Sequence, residues 1–219
     1  GGHQLHKTTK ENLKNYMQSL DYDILPRTTR DAVHTTFGLG YEHLWVDSMC
    51  IVQDDAKEMV EEVAKMPSIY SNALCTIAAK CSDSVEKGFL SRPKYTVFGF
   101  DARWASNRGR LSGSGKVHGI ALNNYGQEPL EARGWALQER ILSQRILDFG
   151  LRQLRWHCDG LQGGTFLTDG WTPVPEAVSH KPRSSGGYWE GIVEEYTKRR
   201  LTFPSDRAVA ISGIAQALG

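Results

Sequence analysis

Two short stretches of the sequence gather the side chains best suited to chemistry. The first is Trp45-Val46-Asp47-Ser48-Met49-Cys50-Ile51-Val52-Gln53-Asp54, which offers a carboxylate, a hydroxyl, a thiol and an amide close together. Ligands of parallel sheets bind outside the carboxyl ends of the strands. If residues 43–47 form a strand, Asp47, Ser48, Cys50 and Gln53 stand where such ligands go. The competing assignment makes Asp47 the cap of a turn or of the next helix and Cys50 a packed side chain. The second stretch is Arg133-Gly134-Trp135-Ala136-Leu137-Gln138-Glu139-Arg140. On a helix Trp135 and Glu139 are four residues apart and share a face. An aromatic plane beside a carboxylate suits a cationic or glycosidic substrate. Equally open is a packed Trp135 with Glu139 paired to Arg133 or Arg140.

Other chemistries find less support. The seven histidines do not fall at metal-ligand spacings, and neither H-E-x-x-H nor C-x-x-C occurs. The glycine-rich run Arg108 to Gly115 is no phosphate-binding loop, because Lys116 lacks the following Ser or Thr. A Cys–His–Asp protease built on Cys50 is conceivable, but nothing selects its histidine.

The elements that must position these residues follow from periodicity. Leu13, Tyr16, Met17 and Leu20 form the apolar face of a helix over 8–20. A second helix begins at Thr28 or Thr29 and stops at Gly38 and Gly40. Residues 43–47 read as a strand. Asp54 and Asp55 open a third helix over 56–66, with Met59, Val60, Val63 and Met66 inward, and Pro67 ends or kinks it. Residues 74–79 read as a second strand. Alternation of helix and strand predicts an α/β fold, with strands 43–47, 74–79 and 145–149 in one mainly parallel sheet flanked by helices. Residues 81–131 read as an insertion containing a hairpin, with strand-like runs at 96–100 and 117–122. Helical periodicity returns over 132–142, strands follow at 145–149 and 153–158, and 160–187 reads as a long loop. Two helices, 188–201 and 205–218, close the chain.

Composition bounds the rest. A chain of 219 residues, 40% apolar and 23% charged, reads as one globular domain over 1–219. Lys and Arg number 26 against 25 Asp and Glu, so nothing marks a nucleic-acid or membrane-surface binder. No apolar run is long enough for a membrane span, and the first residues lack the apolar core of a signal peptide. Four cysteines without C-x-x-C are consistent with an intracellular, cytoplasmic chain with reduced thiols.

Several blocks in order resemble a known family. The run from Trp45 to Asp55 resembles the W-I-D-x-L-C-I-x-Q-D-D block of the fungal heterokaryon-incompatibility (HET) domain. Met66-Pro67-Ser68-Ile69-Tyr70-Ser71-Asn72-Ala73 with Thr76-Ile77-Ala78-Ala79 resembles M-x-x-I-Y-S-N-A-x-x-T-I-A-A. Arg133 to Ser143 resembles R-x-W-x-L-Q-E-R-x-L-S, and Gln153 to Cys158 resembles Q-L-x-W-E-C, with His157 in place of the acidic residue. Leu201-Thr202, Asp206-Arg207 and Ala210 to Ala215 are similar to its closing segment. The family's opening Y-x-x-L-S-Y-x-W-G strand is not in this sequence. The expectation is a sheet edge or apolar groove left uncovered, with lower stability or a borrowed strand.

The resemblance implies an effector of fungal non-self recognition that triggers regulated cell death. It further implies a distant similarity to TIR domains, which are flavodoxin-like, and some of which cleave NAD after self-assembly. Trp135 to Glu139 is similar to the TIR helix that carries the catalytic glutamate. On that basis Glu139 is the expected catalytic residue and Trp135 a ring that stacks on nicotinamide or walls off water. Asp47 is expected to bind sugar hydroxyls, with Ser48, Cys50, Gln53 and Arg133 completing the NAD-binding set. NAD is then the substrate, and no metal or cofactor is required. The alternative is a non-enzymatic module that binds itself or a regulatory partner in the same pathway.

Overall fold

The computed structural model describes residues 6–91, 96–105, 112–121, 127–151, 153–159, 165–167 and 188–218. In chain order its elements are helices α1 (Leu13–Gln18), α2 (Arg27–Gly38), α3 (Asp47–Cys50) and α4 (Ala56–Asn72), then strand β1 (Thr76–Ala78). A hairpin follows, β2 (Thr96–Ala105) and β3 (Ser112–Ala121). Then come α5 (Gly134–Leu142), β4 (Arg145–Phe149), β5 (Leu154–Cys158), β6 (Thr165–Leu167), α6 (Tyr188–Thr197) and α7 (Arg207–Leu218). The chain divides into two compact units, residues 1–91 with 127–219, and residues 92–126.

The larger unit is mixed α/β. Its sheet has the order β1-β4-β5-β6. Only β1 and β4 run parallel, with Thr76 opposite Ile146. The β4–β5 and β5–β6 pairs are antiparallel. The expected mainly parallel sheet is therefore corrected to a mixed one among the described strands. Four residues, 150–153, separate β4 from β5, and Gly150 N–H donates to the Gln153 carbonyl at 3.1 Å. So short a link permits only an antiparallel return.

Residues 43–47 are the second correction. Residues 41–46 enter no sheet, and the chain turns at Val46 into the single helical turn α3. Strand-forming side chains adopt sheet only where a neighbouring strand offers bonds and burial. Here Leu44, Trp45 and Val46 line a cavity instead.

Helix α4 begins where the Asp55 carboxylate accepts from the N–H groups of Lys57 and Glu58. It passes through Pro67 to Asn72 rather than ending at 66, and Val60 on its expected inner stripe is 71% exposed. Proline costs a helix one N–H bond and crowds the preceding turn, and the packing of α4 outweighs this. A Cβ on Gly213 of α7 would stand 2.7 Å from Pro67 Cγ and 2.6 Å from Gln138 Nε2. The missing side chain of Gly213 is thus what lets α7 approach both α4 and α5. The apolar core beside this junction is Leu137, Ile192, Tyr196, Ala210 and Ile214.

Helix α2 stops as expected, with Gly40 at φ +82° and the Tyr41 N–H returning to the Thr36 carbonyl at 3.1 Å. Most of 160–187 lies outside the described residues, and within it Thr165–Leu167 is a strand.

The smaller unit is a two-stranded antiparallel sheet with Thr96 opposite Ala121 and Ala105 opposite Ser112. Its strands are longer than the alternating runs at 96–100 and 117–122 suggest. Phe98 and Phe100 stack at 6.5 Å and are both about half exposed.

Candidate active site

The larger unit holds an open cavity of about 930 Å³. Three sources bring the chemistry to it. Helix α5 presents Ala136, Glu139 and Arg140, spaced three and four apart as one helical face requires. The segment entering α3 contributes Trp45, Asp47 and Ser48, and the last turns of α4 contribute Ile69 and Tyr70. The floor is one face of the sheet. Thr76 and Ala78 of β1, Ile146 and Asp148 of β4, and His157 of β5 all line it. Directly opposite residues share a face, and Ile146 lies opposite His157.

Glu139 is half-buried and lines the cavity together with Tyr70. Burial pushes this carboxyl above the usual glutamate range. The Arg133 guanidinium opposes the rise, and the Asp47 charge adds to it. The Tyr70 phenol is driven far above its ordinary value by burial first, then by the Glu139 and Asp47 charges. Its ring meets Trp45 edge-on, with centroids 5.8 Å apart and planes at 80°.

Asp148, which also lines the cavity, is completely buried. Its Oδ2 receives Lys80 Nζ at 3.1 Å, Arg155 Nε at 3.1 Å, Arg155 Nη2 at 3.0 Å and His157 Nε2 at 3.2 Å. Glu128 and Glu131 extend the network, Glu128 Oε2 pairing with Arg155 at 2.6 Å and Glu131 Oε1 with Lys80 at 3.1 Å. Burial alone would raise the Asp148 carboxyl. The His157 hydrogen bond and the Lys80 and Arg155 charges outweigh burial and hold it well below the usual range. Burial dominates at His157 and lowers it, against the Asp148 hydrogen bond.

Of the residues singled out from the sequence, Glu139, Asp47, Ser48 and Arg133 all line this one cavity. Asp47 lies in the single turn of α3, exposed, its Oδ1 accepting the Ser48 N–H at 2.7 Å. Arg133 acts on Glu139 through its charge, and its carbonyl accepts from Arg199 at 3.3 Å. The other three stand apart. Trp135 packs against the Leu137–Ile192–Tyr196 core rather than walling the cavity. Cys50 is exposed and does not line it. Gln53 braces α3, its Nε2 donating to the Asp47 carbonyl at 3.2 Å and the Ile51 carbonyl at 3.0 Å.

Tyr70 and Trp45 were not singled out individually, nor was the Asp148 network. A helix ended at Met66 has no place for Tyr70, whereas the i, i+4 step from Met66 reaches it once the helix continues. Asp148 carried a readable signal. It sits two residues after Ile146, on the buried register of its strand, and a charge there demands partners.

Residues 2–139 match the family model described as Heterokaryon incompatibility protein (HET). The chain belongs to the HET family. No curated protein and no solved structure matches it. The HET match runs through α1 to α4 and β1 and ends at Glu139 itself. It thus contains Trp45, Asp47, Ser48, Tyr70, Arg133 and Glu139, whereas Asp148 and His157 lie beyond it. The group around Glu139 therefore lies within the HET match, and the Asp148 network joins residues on both sides of its boundary. Among the described residues no helix is long and apolar enough to cross a membrane.

Proposed function

We propose that this HET domain hydrolyses NAD at the bond between nicotinamide and ribose, and that loss of the cytoplasmic NAD pool is how it triggers regulated death in non-self recognition. The observation that supports this reading is the opening of Glu139, with Asp47 and Arg133 near it, onto one cavity large enough for a nucleotide. Breaking an N-glycosidic bond leaves positive charge on the ribose as nicotinamide departs with the bonding pair. A carboxylate in a water-poor site stabilises that charge far better than one in bulk water. The ionised Glu139 does this, and then takes a proton from the water that attacks the sugar carbon. Asp47 accepts hydrogen bonds from the ribose hydroxyls. The edge-on Trp45–Tyr70 pair supplies the aromatic wall that the sequence assigned to Trp135. The overall balance is NAD and water to nicotinamide, ADP-ribose and a proton. The distant TIR likeness inferred from the sequence agrees with this chemistry by analogy only.

The test is to incubate purified protein with NAD and follow nicotinamide release, comparing wild type with Glu139→Ala. Release by wild type that disappears in a variant of unchanged melting temperature supports the reading. Equal release by both moves the chemistry to other residues. A second reading, a self-assembling module without catalysis, draws on the half-exposed Phe98–Phe100 stack of the hairpin. Under it the folded Glu139→Ala protein still kills.

A further inference from the structure

We propose that the Thr76 hydroxyl is a ligand-binding acceptor in the cavity floor, and that a directed chain of hydrogen bonds through Ser143 makes it select an uncharged donor, a sugar hydroxyl. Only the identity of that sugar, the ribose beside nicotinamide, rests on the NAD reading above.

The direction of the chain follows from valence. Ser143 caps the C-terminal end of α5 and is 1% exposed. Its Oγ stands 2.6 Å from the Glu139 carbonyl and 2.7 Å from Thr76 Oγ1. A carbonyl oxygen only accepts, and a serine hydroxyl has a single proton. That proton goes to the Glu139 carbonyl, which also receives the Ser143 N–H at 3.3 Å. Ser143 Oγ is then left to accept, and Thr76 must donate to it. With its proton committed, Thr76 Oγ1 has only lone pairs to offer anything else. Among the described residues Ser143 is its one hydrogen-bond partner.

Thr76 is half-buried on β1 and lines the cavity. Ala78, two residues on, and Ile146, directly opposite on β4, line it too. An uncharged acceptor among apolar side chains suits an uncharged donor, whereas a cation is drawn to carboxylates such as Glu139 and Asp47. The same chain ties β1 to α5, two hydrogen bonds from the Glu139 backbone. The acceptor and the Glu139 carboxylate therefore serve one occupant.

The experiment is calorimetric titration with ADP-ribose and with analogues in which fluorine replaces the 2- or the 3-hydroxyl of its terminal ribose. Fluorine is close to a hydroxyl in size and cannot donate. Wild type is expected to bind ADP-ribose about tenfold more tightly than one of the analogues. Thr76→Val keeps the shape and loses the oxygen. It is expected to bind ADP-ribose about tenfold more weakly, and that analogue within about twofold of it. Thr76→Ser restores the preference, and Ser143→Ala, which frees the Thr76 proton, narrows it. A Thr76→Val protein with the wild-type preference overturns the proposal. Should that variant fail to fold, an unchanged preference in Ser143→Ala overturns it. A wild type that binds all these compounds alike, or none of them, overturns it too. Hydrolysis fails separately. Thr76-dependent binding by a protein that releases no nicotinamide from NAD supports the acceptor and sinks hydrolysis. Nicotinamide release with one KM in wild type and Thr76→Val keeps hydrolysis and sinks the acceptor.

Discussion

Two carboxylates line the cavity, Glu139 half-buried and Asp148 completely buried, and they are supported in opposite ways. Asp148 Oδ2 is met by an ammonium, a guanidinium and an imidazole. Those partners overcome the cost of burial and keep the group ionised. Glu139 has one cation near it in Arg133 and an anion in Asp47, and burial prevails. A carboxylate oxygen that gathers several partners ties elements together: Asp148 Oδ2 joins β4 to β5 through Arg155 and His157 and to the residues after β1 through Lys80. A charge left under-supported in a cavity is poised to interact with what enters it. The comparison assigns Asp148 to structure and Glu139 to chemistry.

The most damaging substitution should be Asp148→Ala. The substitution takes from Lys80, 4% exposed, and Arg155 the most deeply buried of the carboxylates they share, and leaves them Glu128 and Glu131. Removing one partner of a buried ion pair costs about 3–5 kcal/mol. Urea denaturation at neutral pH reads this directly. A loss under about 1 kcal/mol means the network is not the anchor described.

Acid separates the two carboxylates next. Asp148 is held below its unfolded value near 3.9, so its stabilisation is full above that pH and lost as pH falls through the folded midpoint. His157 is also depressed, so below about pH 6.5 the unfolded chain takes up its proton first. Stability should begin to fall below about pH 6.5 and steepen below about pH 4, by roughly 2 kcal/mol for the carboxylate. Glu139 has the opposite sign. Its raised folded value means its contribution is full at low pH and is lost as pH rises through that value. Glu139→Gln should therefore be no less stable than wild type at pH 8, within about 1 kcal/mol on the stabilising side. Its advantage should shrink at pH 5, as melting temperatures at the two pH values will show. Nicotinamide release should meanwhile fall by about a hundredfold or more.

How far this contrast was legible in the sequence depends on what each residue reports. Helical spacing located α5, and with it Glu139, because an amphipathic period survives whatever packs on it. Strand propensity failed at 43–47 because sheet needs a partner that local sequence does not encode. The i, i+4 relation of Trp135 and Glu139 was sound, but a shared face has two flanks. Trp135 turned to the α6–α7 core while Ala136 and Arg140 flank Glu139 on the cavity. Placing the third helix over 56–66 left Tyr70 beyond it, although a kink at Pro67 stayed open. Direction within the sheet needed only the brevity of 150–153. The Asp148 network joins residues from 80 to 157, and long-range ion pairing of this kind leaves no periodic trace.

The smallest expected effect sharpens the comparison from outside the cavity. Cys50 was the thiol on which a nucleophilic site was conceivable, and it shares α3 with Asp47. The structure leaves it exposed at the end of that turn, off the cavity lining. Asp47, three residues earlier, lines the cavity and bears on the ionisation of Glu139. What α3 contributes to the site is therefore carried by its first residues and by the brace from Gln53. Cys50→Ser keeps size and removes the nucleophile. Melting temperature and nicotinamide release should both be unchanged, with stability within about 0.5 kcal/mol. Iodoacetamide should label Cys50 without inhibiting. Inhibition on labelling, reversed in Cys50→Ser, would move the chemistry from the Glu139 carboxylate to this thiol. The two carboxylates would then no longer divide between structure and catalysis.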